Sequence, residues 1–139
     1  MKKGRAKFTT WARWNDRVPL DGIKQPGVYL IAHFARRPHG RAAFCDKRVV
    51  YIGETCGSSL RSRLNSFNRG ALTGRANHGG GNTYHKEFGQ RRLNSAWVAV
   101  APCGQVGELL TSQLIRLWER QCLWGFVSRW NKLPRCNKK

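Results

Sequence analysis

Two tyrosines in neighbouring strand-like segments are the residues of this chain best suited to chemistry. Tyr29 and Tyr51 each lie between apolar residues, so each phenol points to one face of its strand. If the strands pair antiparallel, one register places both phenols on the same face. A phenol with a pKa of about 10 is a weak base unless neighbouring cations stabilise the phenolate. The pair could serve phosphodiester cleavage, and two ordinary strand tyrosines are the alternative, since strands favour tyrosine.

The composition supplies such cations in excess. The chain of 139 residues has 26 lysines and arginines and 7 aspartates and glutamates, which gives a net charge of +19 and a pI near 11.1. A compact domain that tolerates this self-repulsion indicates a polyanionic partner. We expect nucleic acid, ahead of the ribosome or an anionic membrane surface.

Glu119 is the acidic residue that the pattern singles out. It lies in the apolar C-terminal segment, where a helical wheel gives it the same arc as Ile115, Cys122, Leu123 and Phe126. A carboxylate on an apolar face needs a partner, because burying it unpaired is costly. A divalent metal ion and an arginine are the two partners open to it.

Short strands and helices are expected to position these residues. The pattern predicts strands over 27–34, 48–53 and 97–100, a helix capped by Ser58 or Ser59, a flexible glycine-rich loop over 68–82, a short helix over 83–92 and a long helix over 105–127. This order predicts an α+β fold with a small three-stranded central β-sheet flanked by helices.

The tyrosines and their glycines occur in a combination that resembles a known family. Gly27-Val28-Tyr29 and Tyr51-Ile52-Gly53 are similar to the two motifs of the GIY-YIG nuclease superfamily. The resemblance extends over 27–131 with the same element order. It implies a basic N-terminal arm and lead-in over 1–26 and a GIY-YIG nuclease domain over 27–139. The expected protein is a small free-standing, metal-dependent endonuclease of restriction or phage type that hydrolyses phosphodiester bonds in DNA.

The resemblance also implies a role for each candidate residue. Tyr29 would deprotonate the attacking water, while Tyr51 and Arg63 would position and neutralise the scissile phosphate. Glu119 would hold one Mg²⁺ or Mn²⁺ ion, and Asn131, twelve positions later, would support the site or touch the phosphate. Hard cations that keep water and phosphate oxygens as ligands suit a site with one carboxylate.

The phosphate-binding arginine has an alternative within the chain. The family places this arginine beside hydrophobic residues on the first helix, and Leu60 and Leu64 put Arg63 in that position. A rigid count from Tyr51 would select Arg61 instead. A guanidinium suits the role because it donates two hydrogen bonds to phosphate oxygens and keeps its charge.

Two supporting residues of the family are less well defined here. The histidine that several members use beside the first helix is replaced by Phe67 in this chain. His33, His78 and His85 are the candidates to take over its role, with a surface position as the alternative for each. Asn137 is the alternative to Asn131.

Phosphate contacts are expected from arginines outside the catalytic group, which would give affinity without reading sequence. They are Arg36, Arg37, Arg61, Arg91 and Arg92. We expect DNA, in double-stranded form, as the partner and a monomer or homodimer as the assembly. A non-catalytic nucleic-acid-binding or ribosome-associated protein on the same scaffold is the alternative, although it would leave Glu119 without a purpose.

The remaining features of the sequence indicate the cellular compartment in which the protein is expected. The five cysteines are scattered and odd in number, which favours reduced thiols. The chain has no apolar run of about 18 residues and no signal-peptide core after its basic start. We therefore expect a cytoplasmic protein of a bacterial or phage-infected cell, with no membrane partner.

Overall fold

The computed structural model describes residues 4–138, so the first three residues of the predicted basic arm and Lys139 lie outside the described residues. Its elements in chain order are β1 (Ala12–Arg13), a 3-10 turn (Trp14–Asp16), β2 (Gly27–His33), β3 (Val49–Thr55), α1 (Leu60–Thr73), α2 (Gly79–Phe88), α3 (Gln90–Leu93), β4 (Ala96–Pro102) and α4 (Glu108–Trp130).

The strands form one open antiparallel sheet in the order β1-β4-β2-β3. The predicted α+β class is confirmed, and β2, β3 and β4 are the three predicted strands. The predicted number of strands is wrong, because β1 adds a fourth to the free edge of β4. A strand of two residues is too short to produce an alternating pattern, so no local signal indicated it.

Each face of the sheet is covered by a separate apolar core. Tyr29 and Ile31 face α1 and α2 and pack with Phe67, whereas Leu30 and Ile52 face α4. The segment before Gly27 contributes to both cores. Phe8 packs on the α4 side, and Trp14 packs on the other side, where its indole donates to Asn68 at 2.9 Å. The predicted lead-in is therefore part of the packed domain.

The glycine-rich stretch over 68–82 is largely helical, which corrects the predicted flexible loop. Helix α1 continues to Thr73 and α2 begins at Gly79. A Cβ at Gly70 would lie 2.9 Å from the backbone N of Asn82, and a Cβ at Gly81 would lie 2.6 Å from the carbonyl O of Phe67. These glycines allow α1 and α2 to pack closely. The predicted short helix over 83–92 is divided by Gly89 between α2 and α3.

After α4 the chain returns to the free edge of β3. The helix ends at Trp130 and is capped by Asn131, which adopts a left-handed conformation with φ of 57°. The N–H of Cys136 then donates to the carbonyl of Val50 at 2.8 Å. Among residues 4–138, no helix is both long and apolar enough to span a bilayer.

Candidate active site

The two tyrosines lie on one face of the sheet, at the boundary between β2 and β3. Tyr29 pairs with Gly53 and Ile31 pairs with Tyr51, so the phenols are diagonal neighbours whose ring centroids are 5.9 Å apart. A Cβ at position 53 would lie 2.5 Å from Cζ of Tyr29 and 2.6 Å from Cε2 of Tyr51. Gly53 therefore leaves the space in which the two rings meet.

His78 completes this group from the start of α2. Its Nε2 lies 2.6 Å from the phenol oxygen of Tyr29, and its Nδ1 accepts the N–H of Gly81 at 3.1 Å. Burial and, after it, the charge of Arg63 lower the pKa of His78 to about 4, so the ring is neutral at pH 7. Because Nδ1 is an acceptor, the proton of the neutral ring is on Nε2 and is donated to Tyr29.

The two phenols differ in their access to water. Tyr29 is fully buried, whereas Tyr51 is partly exposed. Burial and the neighbouring Tyr51 raise the pKa of Tyr29 well above its ordinary value, and Arg63 opposes this change. Burial raises the pKa of Tyr51 to about 12, against the lowering effects of Arg63 and of a hydrogen bond from Tyr29. Direct deprotonation of water by Tyr29 would need solvent access that the structure does not give it.

Arg63, and not Arg61, belongs to the tyrosine group. Ser59 caps α1 by accepting the N–H of Ser62 at 3.1 Å, and this start of the helix turns Arg63 toward the sheet. Arg63 is partly buried, and its charge acts on both tyrosines and on His78. Arg61 is exposed on the outer side of the helix.

Glu119 approaches the group from the other side of the sheet. It is partly buried on α4, and its charge acts on Tyr51. Burial first and the carboxylate of Glu54 second raise the pKa of Glu119 to about 7, which Arg120 opposes. The two ion pairs found within residues 4–138 join other residues, so no arginine pairs with Glu119.

Glu54 is a site residue that the sequence reasoning missed. It directly follows Gly53 on β3, and its Oε2 accepts a hydrogen bond from the thiol of Cys56 at 2.9 Å. A carboxylate next to the second glycine motif, in a chain with only 7 acids, was the available signal. Its charge acts on Glu119, which lies on a different element, and the sequence alone does not bring these two positions together.

Of the two candidate asparagines, Asn137, the alternative, lies next to the tyrosine group, and Asn131 does not. Asn131 is exposed at the C-terminal end of α4, about 18 Å along the helix from Glu119. The side chain of Asn137 instead accepts the N–H of Ile52 and donates to its carbonyl, both at 2.9 Å. Asn137 thus supports the strand segment between Tyr51 and Gly53, and Asn131 does not reach it.

The other two candidate histidines, His33 and His85, lie outside the group. His33 is on the same sheet face as Tyr29 but bonds to the hydroxyl of Tyr84 at 2.7 Å, and burial lowers its pKa to about 4. Nδ1 of His85 lies 2.9 Å from the carbonyl of Ala71, where α1 and α2 meet. Both histidines connect structural elements and neither touches the two tyrosines.

The five arginines expected as phosphate contacts are all exposed. Arg36 and Arg37 lie in the connection between β2 and β3, where Arg37 stacks 5.6 Å above the ring of Trp97. Arg91 and Arg92 are on α3. The charges are thus spread over several sides of the domain rather than collected at the tyrosines.

The donor set around Glu119 fits a hard divalent cation. Glu119 and Glu54 offer carboxylate oxygens, and burial first, then the charge of Glu54, raises the pKa of Glu119, so a bound cation would stabilise its charged form. Within the described residues, no cluster of three or more histidine, cysteine or acidic side chains could enclose a metal ion by itself. A cation here would keep ligand positions for water and for a substrate oxygen.

Comparisons with family models, curated proteins and solved structures find no match for this chain. What the site can do is therefore inferred from its own residues and from the motifs that they form.

Proposed function

We propose that the protein is a divalent-metal-dependent endonuclease that hydrolyses DNA phosphodiester bonds and resembles the GIY-YIG nucleases. The observation that carries the proposal is the convergence of Tyr29, Tyr51, His78 and Arg63 on one side of β3, with Glu119 in electrostatic contact from the other. In such a group Tyr51 could accept a proton, Arg63 supplies a fixed positive charge, and Glu119 supplies a carboxylate that could bind a metal ion.

In this proposal Tyr51, rather than Tyr29, takes the proton of the attacking water, because Tyr51 is the phenol with access to solvent. Tyr29 is fully buried, so its role is to act on Tyr51 through a hydrogen bond. His78 donates a hydrogen bond to Tyr29, and the bond from Tyr29 lowers the pKa of Tyr51. A phenolate at Tyr51 is thereby stabilised through two successive hydrogen bonds.

Arg63 has two effects in the same group. Its charge lowers the pKa of both tyrosines, and its partly exposed guanidinium can hold phosphate oxygens and stabilise the charge that grows on them. The exposed arginines elsewhere would hold the DNA backbone without reading its sequence.

Glu119, with Glu54 beside it, is the proposed holder of the Mg²⁺ or Mn²⁺ ion. When bound, the ion would supply positive charge to the leaving oxygen of the phosphate. With the ion bound, the charge of Glu119 would also be neutralised, and this carboxylate would then no longer raise the pKa of Tyr51. Asn137 keeps the Tyr51–Gly53 segment of β3 in place through its two bonds to Ile52.

A supercoiled plasmid incubated with the purified protein tests the proposal. We expect nicked or linear DNA in Mg²⁺ or Mn²⁺, no cleavage with a chelator, and no cleavage by Glu119→Gln. Wild-type protein that binds DNA but leaves it intact in both metals would favour the non-catalytic nucleic-acid-binding protein instead.

A further inference from the structure

The outer face of α4 carries large apolar side chains that the rest of the domain leaves open to water. Leu110, Leu117 and Trp124 recur every seven residues and are 67%, 49% and 75% exposed. Two helical turns separate successive members, so the three align along one side. Leu109 and Val127 lie beside them and are 80% and 37% exposed. We call these five residues the α4 stripe.

The stripe points away from both the core and the candidate active site. The buried side of α4, with Ile115, Cys122 and Phe126, packs against the sheet. Glu119 is two positions from Leu117 and therefore about 200° around the helix from it. A partner that covers the stripe therefore does not cover Glu119.

The two ends of the stripe differ in shape. The N-terminal end presents Leu109 and Leu110 as projecting side chains. Beside Trp124, at the other end, lies a cavity of about 390 Å³, lined mainly by apolar groups that include Phe44, Trp118 and Gly125. The cavity therefore opens at the margin of the stripe next to Trp124, on the flank of α4 opposite Leu109 and Val127.

We propose that the α4 stripe is the interface of a homodimer, in which a second copy packs its α4 antiparallel across a two-fold axis at Leu117. In this arrangement Leu110 of each copy meets Trp124 of the other, at the rim of the partner's cavity. A two-fold interface uses the same patch twice, so this contact is made at both ends. The inference does not depend on the proposed nuclease activity.

The area of the stripe fits this occupant. With the stated exposures, its five side chains leave roughly 600 Å² per copy open, and pairing two copies would bury roughly 1,200 Å², the lower end for specific interfaces. The charge pattern sets a condition on the association. The five side chains are uncharged, but Arg116 and Arg120 are exposed on the same side of α4, and Arg5 lines the cavity. Association of two copies should therefore be stronger at higher salt, where the repulsion between these arginines is screened.

A charge-swap experiment tests the axis directly. Because Leu117 would meet itself, Leu117→Glu alone and Leu117→Lys alone should each be monomeric, while an equimolar mixture should form a heterodimer. The wild type at about 100 µM should have twice the 15.9 kDa mass of one chain in light scattering and sedimentation. Circular dichroism verifies that each variant is folded. Leu72→Glu, at an exposed leucine of α1, is the matched control and should remain dimeric.

Three results would overturn the proposal. They are a monomeric wild type at that concentration, a Leu117→Glu variant that stays dimeric, or a mixture of the two charged variants that stays monomeric. If a monomeric wild type bound anionic vesicles and Leu117→Glu did not, the stripe would be a membrane contact.

Discussion

Nε2 of His78 lies 2.6 Å from the phenol oxygen of Tyr29, although 49 positions separate them in the chain. The N-terminus of α2 fixes the direction of this bond, because the amide of Gly81 donates to the other ring nitrogen. A neutral histidine therefore donates to a buried tyrosine, and through it affects the tyrosine that is open to water.

His78 should behave as a positioning residue. We expect His78→Ala to lower the single-turnover cleavage rate by about 10- to 100-fold, less than the loss of a direct proton acceptor can cost. The rise of the rate with pH should move to higher pH, since the phenolates lose a donor. His78→Gln, whose amide can still donate, should restore part of the rate. His39→Ala, at an exposed histidine, is the control. A His78→Ala variant with normal rate and pH profile would remove His78 from the mechanism.

The two tyrosines should differ in the effect of losing the hydroxyl. Tyr51→Phe should lower the cleavage rate by about 10²- to 10⁴-fold with DNA binding preserved, because it removes the proposed proton acceptor. Tyr29→Phe should cost less and move the pH–rate profile upward, because the bond that lowers the pKa of Tyr51 is lost. The measurement is the rate between pH 6 and 9 at saturating DNA. A larger loss for Tyr29→Phe would return the base role to Tyr29.

Much of the fold can be predicted from local patterns in the sequence, and the errors of that prediction have a common cause. The strands around Tyr29 and Tyr51 were predictable from apolar runs bounded by turn residues. The prediction of a flexible loop over 68–82 was wrong because glycine occurs both in flexible loops and where two backbones approach closely. Gly70 and Gly81 permit close helix packing here, and a sequence shows only that a glycine is present, not which backbone lies next to it.

The parts of the site that depend on strand pairing could be predicted from the sequence. The parts that depend on interactions between elements far apart in the chain could not. The register that joins Tyr29 and Tyr51 follows from two adjacent strands. The hydrogen bonds of His78 with Tyr29 and of Asn137 with Ile52, and the effect of the charge of Glu54 on Glu119, each join separate parts of the chain. Only the packing of α2, α4 and the C-terminal segment around β3 determines them.

The two arginines of α1 provide a matched pair. Arg63→Ala should lower the cleavage rate by about 10²- to 10³-fold, because a fixed cation beside the phosphate is lost. Arg61→Ala removes the same charge two positions away on an exposed surface and should change the rate less than about threefold. Single-turnover kinetics at saturating DNA separate chemistry from binding. Equal losses would mean that Arg63 has no special position.

DNA binding should weaken steeply with salt. If 6 to 10 phosphates are contacted, affinity should fall by about 10³- to 10⁵-fold between 50 and 200 mM salt, because counterions are released from the DNA. Fluorescence anisotropy with a labelled duplex and the Glu119→Gln variant measures this without cleavage. Replacing both Arg36 and Arg37 by alanine should reduce the slope by about two. A nearly flat salt response would assign the positive surface to another partner.

Through Glu119, the stability of the folded protein should depend on the pH and on divalent metal ions. Burial and Glu54 raise its pKa in the folded protein from 4.5 to about 7. A raised carboxyl pKa favours the protonated folded form, so this contribution to stability is present below pH 4.5 and is lost as the pH rises through about 7. Without metal, the melting temperature of the wild type should therefore fall relative to Glu119→Gln between pH 5 and pH 8, as measured by scanning calorimetry.

Divalent cations should reverse this loss where Glu119 is charged. At ten times its Kd, Mg²⁺ would stabilise the folded state by about 1.4 kcal/mol, which corresponds to about 4 °C for a domain of this size. We expect this increase in the wild type at pH 8, little of it at pH 5, and none in Glu119→Gln at either pH. Glu108→Gln, at an exposed glutamate of the same helix, should respond to Mg²⁺ like the wild type. An equal response of Glu119→Gln would show that the cation binds elsewhere, and the proposed role of Glu119 would then be lost.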